Sequence, residues 1–173
     1  MSDTRVKSPL GQWVDAIGDK SGAAYVAGRI YKSPVIKVPG IGAASAYAAA
    51  DAFGTKVVIN GLPNQGTISD VVFLDKDDEG IVKELVLFDH DFTGTADNSA
   101  FAPTDADLEN LVGVVSISNF YNYSVNQVGR ATPALFYSTD PRSPGRLYGQ
   151  FVTRGADNIA AGSEPLFFLV VVD

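Results

Sequence analysis

The sequence has no cysteine, one histidine and one tryptophan among its 173 residues. Without cysteine the chain forms no disulfide and supplies no thiolate, which excludes disulfide-stapled secreted folds and cysteine-based catalysis. The histidine, His90, lies between two aspartates, and no serine occupies a Gly-x-Ser-x-Gly nucleophile motif. We therefore predict a protein that is not an enzyme and has no cofactor or metal site, with His90 as a loop residue beside carboxylates.

Positive charge is also sparse, because 13 lysines and arginines face 20 aspartates and glutamates and leave a formal net charge of −7. Proteins that bind phosphate backbones need clustered basic residues, so we expect no direct contact with nucleic acid. The longest hydrophobic run, 166–172, has seven residues, and roughly 20 are needed to span a bilayer. The N-terminal residues lack the apolar core of a signal peptide. We expect synthesis in a cytoplasm and no membrane partner.

Apolar, β-branched runs separated by glycine- and proline-containing turns predict an all-β fold, either a β-sandwich or a jelly roll. The two clearest strands, 68–75 and 81–89, are separated by the five residues Lys76-Asp77-Asp78-Glu79-Gly80, a spacing typical of a hairpin. The continuous apolar run 166–172 predicts a central strand buried on both faces. The side chains expected to anchor the core are Val72, Leu74, Leu85, Leu87, Phe151 and Phe168.

One or two short helices accompany these strands in the prediction. Thr104 followed by Asp107 resembles a capping box at the start of a helix over 105–112. The apolar residues that would share one face of this helix are Leu108, Leu111 and Val112. The alanine-rich stretch 41–55 fits either a second short helix or a loosely packed strand.

The polar, irregular residues 1–22 predict an N-terminal arm in front of a single β-sandwich domain over 23–173. The arm contains the only tryptophan, Trp13, close to Pro9 and Leu10. Because an isolated indole is costly to leave in water, these three residues are our candidates for contact with a partner molecule. The alternative is a frayed chain terminus.

Three further residue sets have more than one interpretation. We interpret Tyr121 and Tyr123 as core aromatics, although the interleaved asparagines favour the alternative, a surface patch for a sugar or a protein. Arg142 and Arg146 share a proline-containing loop, where they are solvated or reach an acidic partner. The carboxylates at 75–79 would suit calcium in number, but their spacing does not match an EF-hand, which favours a solvated turn.

Several segments resemble a group of small structural proteins encoded by tailed bacteriophages and prophages. The segments that carry the resemblance are Gly54-Thr55, GTISDVVFLD at 66–75, ELVLFD at 84–89, DNSAFAPTDADL at 97–108, LYG at 147–149 and VTRG at 152–155. It covers about residues 45–173, and 97–108 is its most specific part. The resemblance implies a virion protein with a β-sandwich or jelly-roll body, and proteins of this group often coat or cement capsids.

On this resemblance we expect a capsid decoration or cement protein on the virion surface, made in the cytoplasm of the bacterial host. Its partners would be the major capsid protein and further copies of itself, as a dimer or trimer. Two alternatives stay open at this point. One is another virion component, in the tail or the head–tail connector, and the other is a β-sandwich carbohydrate-binding module that uses Tyr121 or Tyr123.

Overall fold

The computed structural model describes residues 28–42 and 46–173, together with the backbone of two short N-terminal strands. These two strands, β1 (Arg5–Lys7) and β2 (Trp13–Asp15), pair antiparallel. The strands that follow are β3 (Ile30–Lys32), β4 (Ile36–Lys37), β5 (Ala52–Asn60), β6 (Gln65–Asp75), β7 (Lys83–Phe88), β8 (Leu111–Ile117), β9 (Phe120–Asn122), β10 (Gln127–Ala131), β11 (Leu135–Ser138), β12 (Arg146–Thr153) and β13 (Leu166–Val172). The helix α1 spans Asp105–Leu108.

The strands from β3 onward form two antiparallel sheets. The larger, seven-stranded sheet has the order β3-β13-β6-β10-β9, with β4 also paired to β13 and β11 also paired to β6. The smaller, four-stranded sheet has the order β5-β12-β7-β8. Strands distant in sequence are therefore neighbours in both sheets, as in sandwiches that are not built from successive hairpins.

The two sheets pack face to face, which confirms the predicted all-β sandwich. Phe151 of β12 lies between Phe73 of β6 and Phe167 of β13, with ring centroids 5.2 and 4.9 Å apart. Apolar side chains from both sheets surround this contact in one buried cluster. Leu85 and Leu87 belong to it, as does Phe151, so these three predicted core anchors are confirmed.

The other three predicted anchors lie on the wrong face of their strands. Val72, Leu74 and Phe168 are half-buried on the outer face of the seven-stranded sheet. The buried positions are the neighbouring residues, Val71, Phe73 and Phe167. Because side chains alternate along a strand, an error of one residue moves every side chain to the opposite face.

The strand that is buried on both faces is β12 and not β13. Every residue of β12 after Arg146 is buried, whereas β13 alternates between buried and half-buried positions. The difference arises because the connection from β7 to β8 covers the outer side of β7 and β12. Phe92 of this connection stacks on Phe88 at 4.2 Å and belongs to a second apolar cluster. The remaining members of that cluster are Val86, Tyr148 and Val152, with Phe101 packed against them.

The predicted hairpin between the two clearest strands does not exist. β6 belongs to the seven-stranded sheet and β7 to the four-stranded sheet, so the residues between them cross the sandwich. Asp75 stabilises the conformation of this connection, because its carboxylate accepts hydrogen bonds from the backbone N–H groups of Asp77 (3.0 Å) and Gly80 (3.1 Å). Asp75 is buried rather than solvated. The seven residues 76–82 reach about 23 Å when extended, enough to bridge packed sheets about 10 Å apart.

The capping box is confirmed, but the helix is shorter than predicted. The Asp107 N–H donates to Thr104 Oγ1 (3.2 Å), and the Thr104 N–H donates to Asp107 Oδ2 (3.1 Å). The helix ends at Leu108 because β8 begins at Leu111 and pairs with β7. The predicted apolar face does not form: Leu108 and Leu111 are exposed, and Val112 packs on the core from β8. Over the described residues, no helix is long and apolar enough to cross a membrane.

The alanine-rich stretch leads into a strand. Its described residues, 41–42 and 46–55, contain no helix, and β5 begins at Ala52. Asp97 holds the stretch in place by accepting hydrogen bonds from the Tyr47 hydroxyl (2.8 Å) and the Gly54 N–H (2.7 Å).

The buried hydroxyl of Tyr137 predicts an alkaline limit to stability. It donates to the carbonyl oxygen of Pro63 (3.1 Å), and burial raises the pKa of Tyr137 from 10.0 to about 12. Since the folded-state pKa is the higher one, its contribution is complete below about pH 10 and is lost as the pH rises toward 12. We expect the thermal midpoint to fall across this range in the native protein, and less steeply in Tyr137→Phe. Equal slopes in the two proteins would contradict this assignment.

Candidate functional site

The outer face of the seven-stranded sheet carries a row of four side chains in register, three of them large and apolar, which we call the outer apolar row. Phe136 pairs with Thr67, Thr67 with Val172, and Val172 with Ile30, so the row crosses β11, β6, β13 and β3. Ile30 is 75% exposed, Phe136 66% and Val172 37%. At a strand spacing of about 4.8 Å, the row is roughly 14 Å wide.

The same face stays apolar beyond this row, and its charges are mostly paired. Its half-buried apolar residues are Val72, Leu74, Val128, Leu166, Phe168 and Val170. Arg130 forms an ion pair with Asp70, and Lys37 Nζ lies 3.0 Å from Glu164 Oε1. Lys32 Nζ lies 4.0 Å from the centroid of the Phe168 ring, a cation–π contact. An extended apolar surface with neutralised charges is typical of a protein contact surface.

The two sheets differ in how their outer faces are covered. On the four-stranded sheet, the β7–β8 connection buries the central strands β7 and β12. On the seven-stranded sheet, the described residues leave Ile30, Phe136 and Val172 exposed. The fold therefore provides one shielded face and one face with apolar side chains in contact with solvent.

The predicted tyrosine patch lies at the edge of the seven-stranded sheet. Tyr121 on β9 is 54% exposed, and Tyr123 in the β9–β10 turn is 61% exposed. Val125 in the same turn is 71% exposed. The core interpretation of the two tyrosines is therefore wrong. The aromatic residue before them on β9, Phe120, is half-buried and packs against the core, so it anchors the strand.

Arg142 and Arg146 lie apart from the tyrosines, around the β11–β12 connection. Arg142 Nε lies 3.0 Å from Asp140 Oδ2, and its hydrogen bonds lower the pKa of the Asp140 carboxyl. His90 joins this group, with Nε2 3.2 Å from Asp140 Oδ2 and Nδ1 2.7 Å from Asp89 Oδ1. Arg146 Nε donates to Asn60 Oδ1 (2.8 Å). These contacts tie neighbouring loops together, and among the described residues no hydrogen bond or ion pair connects the arginines to the tyrosines.

The predicted partner contacts of the arm stay predictions. Pro9 and Leu10 lie outside the described residues. Trp13 is described only by its backbone, as the first residue of β2 paired with Lys7.

An ion pair buried in the sandwich escaped the sequence prediction. Lys83, the first residue of β7, places Nζ 2.5 Å from Oδ2 of Asp157 in the β12–β13 connection, and both side chains are almost completely buried. The ammonium also donates to the carbonyl oxygen of Ile81 (2.8 Å) and lies 4.8 Å from the centroid of the Phe53 ring. The sequence did contain a signal for this position. Lys83 is two residues before Leu85 and four before Leu87, and side chains at this spacing on a strand share one face, so Lys83 points inward.

The Asp157 carboxylate is incompletely paired. Its Oδ2 lies 3.4 Å from the Thr153 hydroxyl, whereas the buried Oδ1 has no hydrogen-bond partner. Burial raises the pKa of Asp157 and lowers the pKa of Lys83, although their mutual attraction acts in the opposite direction in each case. The environment thus favours the neutral forms of both groups.

The described residues contain no evident metal site, and comparison of the sequence with known families and curated proteins assigns no function. Over residues 28–42 and 46–173, no group of three or more histidine, aspartate or glutamate side chains is arranged to hold a metal ion. No known family model matches the chain, and no curated protein sequence matches it significantly. The geometry of the surface is therefore the main guide to function.

Proposed function

We propose that this protein is a non-enzymatic structural component of a bacteriophage virion, and specifically a capsid decoration or cement protein. In this role it binds the major capsid protein on the assembled head and stabilises it, acting as a dimer or trimer. The observation that supports the proposal is the outer apolar row on an otherwise well-packed sandwich. The resemblance of residues 45–173 to structural proteins of tailed phages supplies the identity of the partner.

The position of the row suits a protein that bridges subunits. The predicted arm, residues 1–22, precedes β3 in the sequence, and Ile30 of β3 lies at one end of the row. Arm contacts by Pro9, Leu10 and Trp13 and face contacts by Ile30 and Phe136 would then reach the same or adjacent capsid subunits. Burial of each large apolar side chain contributes about 1.5–3 kcal/mol, so a few such contacts per copy, repeated around a closed symmetry axis, bind firmly.

A binding assay with assembled heads tests the proposal. The native chain should co-sediment saturably with purified heads that lack it, and the double variant Ile30→Asp/Phe136→Asp should bind at least about tenfold more weakly, because each buried side chain contributes 1.5–3 kcal/mol. Trp13→Ala should also weaken binding. The matched control is Val58→Asp, an exposed strand position on the other sheet. Absence of native binding to heads would overturn the proposal. If Val58→Asp weakened binding as much as the double variant does, the outer apolar row would not be the binding surface.

The position of the protein in the particle separates decoration from other virion roles. Electron microscopy of labelled virions should show the chain on the outer shell of the head. Density confined to the tail or the head–tail connector would retain a virion role but reject the cement role.

The exposed tyrosines support a second candidate function, carbohydrate binding. Tyr121 and Tyr123 are exposed close to asparagine side chains, and exposed tyrosine rings suit stacking on a sugar ring. Glycan-array binding that disappears in Tyr121→Ala and Tyr123→Ala would favour this function over capsid binding.

A further inference from the structure

We propose that Lys83 and Asp157 become joined by an intramolecular amide bond, formed by condensation of the lysine amine with the aspartate carboxyl group. The inference concerns the interior of the sandwich and is independent of the proposed virion role. The bond would fasten β7 of the four-stranded sheet to the connection between β12 and β13.

The geometry holds the two reacting groups together. Lys83 Nζ lies 2.5 Å from Asp157 Oδ2, with the side chains 2% and 0% exposed. The hydrogen bond to the Ile81 carbonyl and the contact with the Phe53 ring restrict the direction of the amine. Groups positioned in this way react as if at very high local concentration, because the entropy of bringing them together has been lost during folding.

The surroundings also favour the reactive protonation states. Amide formation needs an uncharged amine and a protonated carboxyl group, and burial moves the pKa of Lys83 down and that of Asp157 up. Asp75, at the end of β6, and Glu79, in the following connection, also act on the pair. They favour the protonated carboxyl group of Asp157, whereas at Lys83 they favour the charged ammonium and so oppose the larger effect of burial. Asp75 is itself held by two backbone N–H groups.

The reaction balances without an oxidant or a cofactor. The lone pair of Lys83 Nζ attacks Asp157 Cγ and forms the C–N bond. The C–Oδ2 bond breaks, and Oδ2 leaves as water with its own proton and one from the amine. The Thr153 hydroxyl, 3.4 Å from Oδ2, is placed to donate a hydrogen bond to the leaving oxygen. Oδ1 remains as the amide carbonyl oxygen.

The unpartnered Oδ1 is consistent with this product. In an ion pair, Oδ1 would be a buried oxygen of a charged carboxylate with no hydrogen-bond donor among the described residues. In the amide it is a neutral carbonyl oxygen, and burying a neutral group without a partner costs less than burying a charge. Condensation also removes the positive charge from the core.

The chain contains a matched control pair. Lys56 Nζ lies 2.5 Å from Asp91 Oδ1, the same distance, but the side chains are 29% and 63% exposed. Solvent water surrounds such an exposed pair and favours hydrolysis over condensation, so we expect no amide bond there.

Mass spectrometry of the purified full chain tests the proposal directly. Under denaturing conditions, the intact mass should be lower than the sequence mass by one water molecule. Tryptic digestion should give a branched peptide that links Lys83 to Asp157, with no cleavage after Lys83, whereas Lys56 and Asp91 should stay unlinked. The full sequence mass together with normal cleavage after Lys83 would overturn the proposal.

A second variant excludes an internal cyclisation of an aspartate, which also removes one water. Lys83→Arg keeps the positive charge but cannot form the same amide, so it should show the full sequence mass. Loss of water that persists in Lys83→Arg would overturn the proposal. The native digest decides the question independently if this variant does not fold.

Discussion

Replacing Phe167 by alanine is expected to reduce the free energy of unfolding by about 3–5 kcal/mol, whereas Phe168→Ala should cost only about 1 kcal/mol. Phe167 is completely buried and meets Phe151 edge-on at 4.9 Å, so its removal leaves a cavity between the sheets. Phe168 is half-buried on the outer face, where Lys32 lies over its ring. Solvent can fill the space it vacates.

Chemical denaturation of the two variants measures this difference. Because the residues are identical and adjacent, the pair controls for chemistry and for position in the chain. The slopes of the transitions should match, so that the midpoints report stability alone. Equal losses of stability would mean that β13 is buried on both faces. A larger loss in Phe168→Ala would mean that Phe168, and not Phe167, faces the core, so that the register of β13 differs by one residue.

The register of β6 and β13 could not be predicted because their sequences do not alternate. Val71-Val72-Phe73-Leu74 and Phe167-Phe168-Leu169 are apolar at every position. Period-two patterns identify the buried face only where the other face is polar. The all-β class depends on simpler signals, strand-forming runs and turn residues, and it was predicted correctly.

The pairing of strands depends on long-range packing that a local pattern does not contain. The spacing between β6 and β7 fits a hairpin, yet each strand pairs within its own sheet. Likewise, β12 looks half-exposed by alternation and becomes fully buried only because Phe92 and Phe101 fold over it. The capping box of α1 was predictable because all of its hydrogen bonds lie within four residues.

The outer apolar row could not be predicted either, because it also depends on the long-range pairing of strands. Ile30, Thr67, Phe136 and Val172 are widely separated in sequence and form a row only through the register of four strands. No motif connects them. The exposure of Tyr121 and Tyr123 was one of two interpretations, and the neighbouring asparagines were the signal that favoured it.

Lys83→Met is expected to destabilise the fold by about 3–5 kcal/mol, because it leaves the Asp157 carboxyl group buried without its partner. Asp157 has no hydrogen bond at Oδ1 and only a 3.4 Å contact with Thr153 at Oδ2, so the described surroundings offer little compensation. The matched control is Lys56→Met, which removes one side of the exposed Lys56–Asp91 pair. Exposed pairs contribute about 1 kcal/mol or less. Similar losses in the two variants would contradict the importance of the buried pair.

The double variant Lys83→Met/Asp157→Leu separates an ionic contact from a covalent one. Replacing a buried ion pair by apolar residues of similar size is often neutral or stabilising, so a purely ionic pair predicts recovery to nearly native stability. An amide bond also constrains the unfolded chain, since it closes a loop of about 75 residues, and by the chain-entropy argument used for disulfides this contributes about 4 kcal/mol. We therefore expect the double variant to remain less stable than the native protein by about that amount, measured by denaturant unfolding. If the double variant were as stable as the native protein, Lys83 and Asp157 would interact only as an ion pair, without a covalent bond.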